Sequence, residues 1–147
     1  MQPKAFALTP DQYARPLNVV GEKITVLASK QATGGNYEIF LQDGPAGSGP
    51  PPHSHGWDEA FFVLSGEIEF GYDDKVMTAR PGTLVNLPAG TTHWFRFGPQ
   101  GGRMLSLTGS GNASQLFTEL DRDIPSGAPD IGKLLEVAKR TGVTFNV

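Results

Sequence analysis

The chain contains only three histidines, His53, His55 and His93, and two of them are separated by a single residue. In an extended segment, side chains at i and i+2 leave the same face of the backbone, so both imidazoles can converge on one ion. Glu59 has the same parity and lies close enough to join them if the chain stays extended or bends gently. His93 must arrive from a later strand. Three imidazoles and a carboxylate form an N/O donor set that suits Fe, Mn, Ni, Co, Cu or Zn as a divalent ion. Such a set leaves one or two positions open on an ion that accepts five or six ligands, the layout of a reactive centre; a structural site would be closed. There is no cysteine, which removes disulfides, thiolate metal sites and a thiol nucleophile. Asp58, beside Glu59, has the opposite parity and reads as a solvent-facing or supporting carboxylate.

These residues need a scaffold of short strands. Gly (19) and Pro (12) punctuate brief apolar segments along the 147 residues, the pattern of an all-β protein with many turns. The strand-like segments are Lys23–Ala28, Asn36–Gln42, Ala60–Leu64, Glu67–Tyr72, Lys75–Ala79, Thr83–Leu87, Thr92–Phe97, Met104–Thr108 and Gln115–Leu120. Turn signals separate them, including Asp73-Asp74, Pro81-Gly82 and Pro99 to Gly102, and the sum predicts a sandwich or barrel. Thr9-Pro10-Asp11 allows a short helix near residues 10–14. Near residues 129–140, Ile131, Leu134, Leu135 and Ala138 keep helical spacing, with Pro129 able to start the helix and Gly142 able to end it. That helix is expected on the outside of the barrel. The chain shows no internal repeat longer than a strand, so one domain over residues 1–147 is expected.

Two segments resemble a known family. Gly47 to Gly66, with His53, His55 and Glu59 between them, resembles the first cupin motif, G-x5-H-x-H-x3-E-x6-G, at every fixed position. Gly82 to His93, with Pro88 and Gly90 between them, resembles the second, G-x5-P-x-G-x2-H. The motif's usual closing Asn is replaced by Phe97, so the two motifs span residues 47–66 and 82–97. Thr33-Gly34-Gly35 and the closing helix resemble the single-domain, quercetin-dioxygenase-like cupins. The resemblance implies a cupin (double-stranded β-helix, or jelly-roll) barrel, with His53, His55, Glu59 and His93 as ligands of one divalent metal ion.

Strand parity extends the reading to a pocket. If His93 faces inward, Phe95 and Phe97 do too, and Phe61 and Val63 share the face of Glu59. Such a wall suits a flat or aromatic small molecule, and no Lys or Arg shares the ligands' parity to clamp an anion. Trp57 and Trp94 have the opposite parity and are expected outside the barrel, where exposed rings would favour a homodimer. The expected function is a metal-dependent dioxygenase acting on an enolic or aromatic small molecule with O2, Glu59 being the catalytic proton acceptor. The alternatives are a redox-neutral isomerase or lyase on the same metal, and a non-catalytic small-molecule-binding cupin. A net charge of −3 without a basic cluster argues against nucleic acid. The apolar runs are too short to span a membrane, and the start of the chain lacks the apolar core of a signal peptide, so a cytoplasmic protein is expected.

Overall fold

In a computed structural model, the structure describes residues 2–124 and 130–146. The strands are β1 (Leu17–Val19), β2 (Glu22–Ala28), β3 (Tyr37–Gly44), β4 (His53–His55), β5 (Glu59–Tyr72), β6 (Lys75–Ala79), β7 (Leu84–Leu87), β8 (His93–Gly109) and β9 (Val143–Phe145). Two helices, α1 (Ala113–Asp123) and α2 (Ile131–Thr141), follow β8. A single 3-10 turn at Pro10–Gln12 stands where a short helix was expected. All nine strands belong to one antiparallel sheet that curls into a half-barrel.

Two strands are longer than the sequence suggests. Ala60–Leu64 and Glu67–Tyr72 are halves of β5, and Thr92–Phe97 and Met104–Thr108 are halves of β8. The first half of β5 pairs with the last half of β8, from Glu59 opposite Thr108 to Gly66 opposite Gly102. The remaining halves pair from Ile68 opposite Phe97 to Tyr72 opposite His93, with register shifts between. Both strands therefore bend around the barrel without ending. Gly66 sits at the bend with φ 71°, and a Cβ there would lie 2.3 Å from the carbonyl oxygen of Gly101. Only glycine tolerates both the conformation and the approach. Pro99 to Gly102, expected as a turn, is part of the bent strand because its partner bends with it.

Gln115–Leu120 is helical, not a strand; it forms the middle of α1. Ala113, Leu116 and Leu120 are buried along one face, at the i, i+3, i+7 spacing of an amphipathic helix. Full burial of a leucine side chain contributes about 1.5–3 kcal/mol, enough to override the β preference of Phe117 and Thr118. α2 begins after Asp130, whose side chain accepts from the Lys133 N–H at 3.2 Å, and ends at Gly142 in the left-handed conformation. Pro129 lies outside the described residues.

The core has two parts. Inside the curl, Phe61, Val63, Ile68, Phe70, Phe95, Phe97 and Met104 are buried together. A second cluster joins Ile24, Phe40 and Trp57 to Leu116 and Leu120 of α1 and Leu134 and Val137 of α2. The helices thus close the mouth of the half-barrel instead of packing on its outer face. They leave apolar side chains on the outside of the sheet, where Phe62, Leu64, Leu84 and Leu107 are exposed. Among the described residues, no helix is long and apolar enough to cross a membrane.

Candidate metal centre

The site forms where β4, β5 and β8 begin. His53 is paired directly with His93 across β4 and β8, and His55 follows on the same strand. The chain then bends through Gly56, Trp57 and Asp58 before Glu59 starts β5. Asp58 is turned away, and its carboxylate accepts from the Ala89 N–H at 2.8 Å. That bond ties the bend to the turn that precedes His93.

One ring nitrogen from each of His53, His55 and His93 falls within 4.8 Å of the others. The opposite nitrogen of each ring is held by a main-chain carbonyl. His53 Nδ1 lies 3.0 Å from the Pro51 oxygen, His55 Nδ1 3.0 Å from that of Trp57, and His93 Nδ1 2.8 Å from that of Thr91. A carbonyl only accepts, so in the neutral rings each Nδ1 is the N–H donor and each Nε2 carries the free lone pair. Glu59 Oε1 is 3.1 Å from His55 Nε2 and 3.3 Å from His93 Nε2. Despite that proximity, His93 Nε2 is buried without a hydrogen-bond partner among the described residues.

The electrostatics follow from burial and from this convergence. Burial pushes the Glu59 carboxyl up, but the adjacent His55 and His93 rings, which become N–H donors to it when protonated, outweigh burial and hold its pKa down to about 2. Burial lowers His53 to about 4, aided by the neighbouring His93, so its ring is neutral near neutral pH. His93 is pulled down by burial and raised further by Glu59, for a net upward shift. The centre therefore holds an ionised carboxylate beside imidazoles whose lone pairs point the same way. Acceptors that face one another are stabilised by a shared proton or a cation, and imidazole Nε2 atoms fixed from behind by carbonyls match the usual arrangement of metal-bound histidine.

A cavity of about 100 Å³ opens onto this cluster. Phe61 and Phe95 form part of its wall, as parity suggested. Val63 and Phe97 instead lie in the inner core at 0% and 1% exposure, outside the cavity wall. Trp57 is not on the outside of the barrel. It is buried, its ring stacked on His55 at 4.4 Å and 8°. The bend after His55 breaks the strand's alternation, and the helices cover the side to which Trp57 points. Trp94 is half-buried, with the Arg96 guanidinium 5.6 Å from its ring. Parity within the motifs alone missed two further groups on the wall. One is the apolar face of α1 and α2, represented by Leu116, Phe117 and Leu134; the other is the polar pair Glu22 and Gln42. The pair was legible in principle, since Glu22 alternates with Ile24 on β2 and Gln42 with Phe40 on β3.

Curled antiparallel strands that gather three histidines and a carboxylate at the mouth define a class of half-barrels with a polar centre. Residues 40–106, which include all four polar residues of the centre, match the Cupin_2 family, described as the cupin domain. Those residues form a cupin domain. It is 35% identical over 95 residues to a quercetin 2,3-dioxygenase of Bacillus subtilis (strain 168), covering 64% of this chain and 28% of that protein. It is 38% identical over 53 residues to an acireductone dioxygenase of Trichodesmium erythraeum (strain IMS101), covering 33% of this chain and 29% of that protein. The matched stretches thus span under a third of either relative. The crystal structure of an RmlC-like cupin from Shewanella frigidimarina superposes with a TM-score of 0.68 at 16% identity, over 78% of this chain and 99% of that one.

Proposed function

We propose that the chain is a metal-dependent dioxygenase for a small molecule with an enolic hydroxyl beside a carbonyl, and that His53, His55, Glu59 and His93 hold one divalent ion. The observation that carries this reading is the convergence of Nε2 lone pairs and the Glu59 carboxylate, with each Nδ1 fixed from behind. The unpartnered His93 Nε2 fits a ligand atom. The donor set admits Fe, Mn, Ni, Co, Cu or Zn. Bound there, a divalent ion would supply Lewis acidity that lowers the pKa of a coordinated hydroxyl.

The side chains divide the remaining work. Glu59 stays ionised near neutral pH and accepts the substrate proton; its low basicity restricts it to a hydroxyl that is already acidified. His53, His55 and His93 bind and keep their orientation through their carbonyl partners. Phe61, Phe95 and Trp57 make the wall apolar and keep bulk water out. A dioxygenase places both atoms of O2 in the product and draws the electrons from the substrate, so no separate reductant is required. Two curated relatives named as dioxygenases support that chemistry. The cavity of about 100 Å³ is well under the roughly 300 Å³ at which pockets for drug-sized ligands begin. That size favours a compact enol over a flavonol.

Oxygen uptake tests the proposal. The metal-loaded protein should consume O2 when a compact hydroxy-enone is added, and Glu59→Gln should lower the rate by about 10²-fold or more. Substrate consumed equally with and without O2 would overturn the oxygenase reading in favour of a redox-neutral isomerase or lyase. Substrate bound but never consumed would favour a binding protein. The exposed Phe62, Leu64, Leu84 and Leu107 on the outer sheet supply the apolar surface for a homodimer, the role expected of the tryptophans.

A further inference from the structure

The cavity wall holds two polar side chains that the metal centre does not use. Glu22 opens β2 and Gln42 lies on β3, strands that carry no residue of the centre. They are 5% and 2% exposed. Gln42 Nε2 donates to Glu22 Oε1 at 3.0 Å. Gln42 Oε1 is buried and has no hydrogen-bond partner among the described residues. Among the described residues, no Lys or Arg lines the cavity. Burial pushes the Glu22 carboxyl up to about 8 against the pull of the Gln42 amide, and the charge of Glu59 adds to the rise. At neutral pH Glu22 is therefore mainly an uncharged acid, with one O–H to give.

A purely structural pair would explain the hydrogen bond between them. It would not explain the orphaned amide oxygen, because a buried acceptor without a donor is destabilising. Nor would it explain the turn that delivers Glu22. Val20 and Gly21 connect β1 to β2 with φ 47° and 93°. A two-residue hairpin turn of this kind favours Asn-Gly, and a β-branched residue there is strained. Val20 also lines the cavity. Strain of this sort clusters at ligand-binding positions.

We infer that Glu22 and Gln42 form a specificity subsite, which holds a second, uncharged hydroxyl of the molecule bound at the metal centre. The inference rests on the reading that this centre binds a compact enolic molecule. The ligand hydroxyl donates to Gln42 Oε1 and accepts from the Glu22 O–H, so both groups are matched at once. A carboxylate or phosphate at this place finds no cation on the wall and meets the charge of Glu59. An alkyl group leaves the polar pair unmatched. The ligand class is a small neutral molecule with a hydroxyl beside a carbonyl at one end and another hydroxyl at the other.

Two hydroxypyranones that differ by one oxygen test this. Both 5-hydroxy-2-(hydroxymethyl)-4-pyranone and 5-hydroxy-2-methyl-4-pyranone carry the chelating pair, and only the first has the distal hydroxyl. They are titrated calorimetrically into protein loaded with zinc(II), which does no redox chemistry. The parent should prefer the hydroxymethyl form about tenfold, equivalent to about 1.4 kcal/mol. Glu22→Leu and Gln42→Leu should each reduce the ratio to about twofold or less, with zinc content at the parent level. Gln42→Met, close in shape, serves if a leucine variant does not fold. Glu22→Leu also removes the buried bond from Gln42 Nε2, so Tm falls whichever role the pair has; the affinity ratio, which a purely structural pair would leave unchanged, is the deciding readout. Equal affinities in the parent, or a preference that survives both substitutions, would overturn the subsite alone. Failure of either pyranone to bind the zinc-loaded parent would overturn the metal-centre reading and the subsite with it.

Discussion

At the scale of single residues, the site depends on how few polar groups the pocket contains and how each is fixed. Each imidazole has one nitrogen tied to a carbonyl, so removal of one ring deletes one donor nitrogen without freeing the others. His55→Ala and His93→Ala are expected to lose bound metal from a parent level of about one ion per chain, the stoichiometry of a single N/O donor set. Elemental analysis of protein prepared in its own host measures this, and parent-like metal in the double variant would refute the site. Glu22 gives a separate signature in stability. Its pKa rises from an ordinary 4.5 to about 8 on folding. Between those values the folded chain keeps a proton that the unfolded chain has released. The stabilising contribution is therefore complete below pH 4.5 and is lost as pH rises through 8. Each unit of separation corresponds to about 1.4 kcal/mol. Thermal denaturation at pH 5 and pH 8 should show a Tm drop in the parent that is clearly smaller in Glu22→Leu; matching slopes would contradict the buried-acid assignment.

At the scale of elements, the helices determine what the pocket can hold. α1 is docked through its N-terminus by Glu38, a residue of β3 that is 1% exposed. Glu38 Oε1 accepts from the Ser114 N–H at 3.2 Å, and Oε2 accepts from the Lys30 N–H at 3.0 Å. A carboxylate at a helix N-terminus satisfies a free N–H and complements the helix dipole. Phe40, two residues along the same strand, meets Phe117 of α1 edge-to-face at 5.0 Å. The polar and apolar anchors thus alternate along β3 and act on one helix. Glu38→Ala leaves both N–H groups unmatched and should destabilise the protein by about 1–3 kcal/mol. Hydrogen exchange should locate the loosening in α1 and spare β5 and β8. Uniform protection along α1 in the variant would show that packing alone holds the helix.

At the scale of the whole molecule, the half-barrel has two apolar faces with different fates. The inner one is filled by the core and the cavity. The outer one presents Phe62 at 41%, Leu64 at 43%, Leu84 at 63% and Leu107 at 43% exposure on adjoining strands. A contiguous apolar patch on a sheet favours burial against a second copy. Leu84→Asp should shift the protein to monomer in light scattering after gel filtration, while metal content holds, because Leu84 points away from the centre. A parent that is monomeric at the outset would refute the dimer.

The alternation of His53 with His55, the parity of Glu59, and the motif spacing to His93 located the polar cluster, because strand geometry repeats every two residues and needs no tertiary knowledge. The β character of the chain followed from the same alternation and from its turn residues. Phe61 and Phe95 were placed on the pocket wall by parity alone. The limits were equally physical. Trp57 sits in a bend where alternation fails, so only the path of the chain decided its burial. The segment Gln115–Leu120 carries residues that suit a strand, and its helical form depends on the open mouth of the barrel that its leucines cover. Gly66 and Gly102 look like turn glycines, yet they let two long strands bend past each other. Glu22 and Gln42 are far apart in sequence and ordinary in isolation. Only the curl of the sheet removes both from water, joins them by a hydrogen bond and sets them on the wall of the same cavity as Glu59.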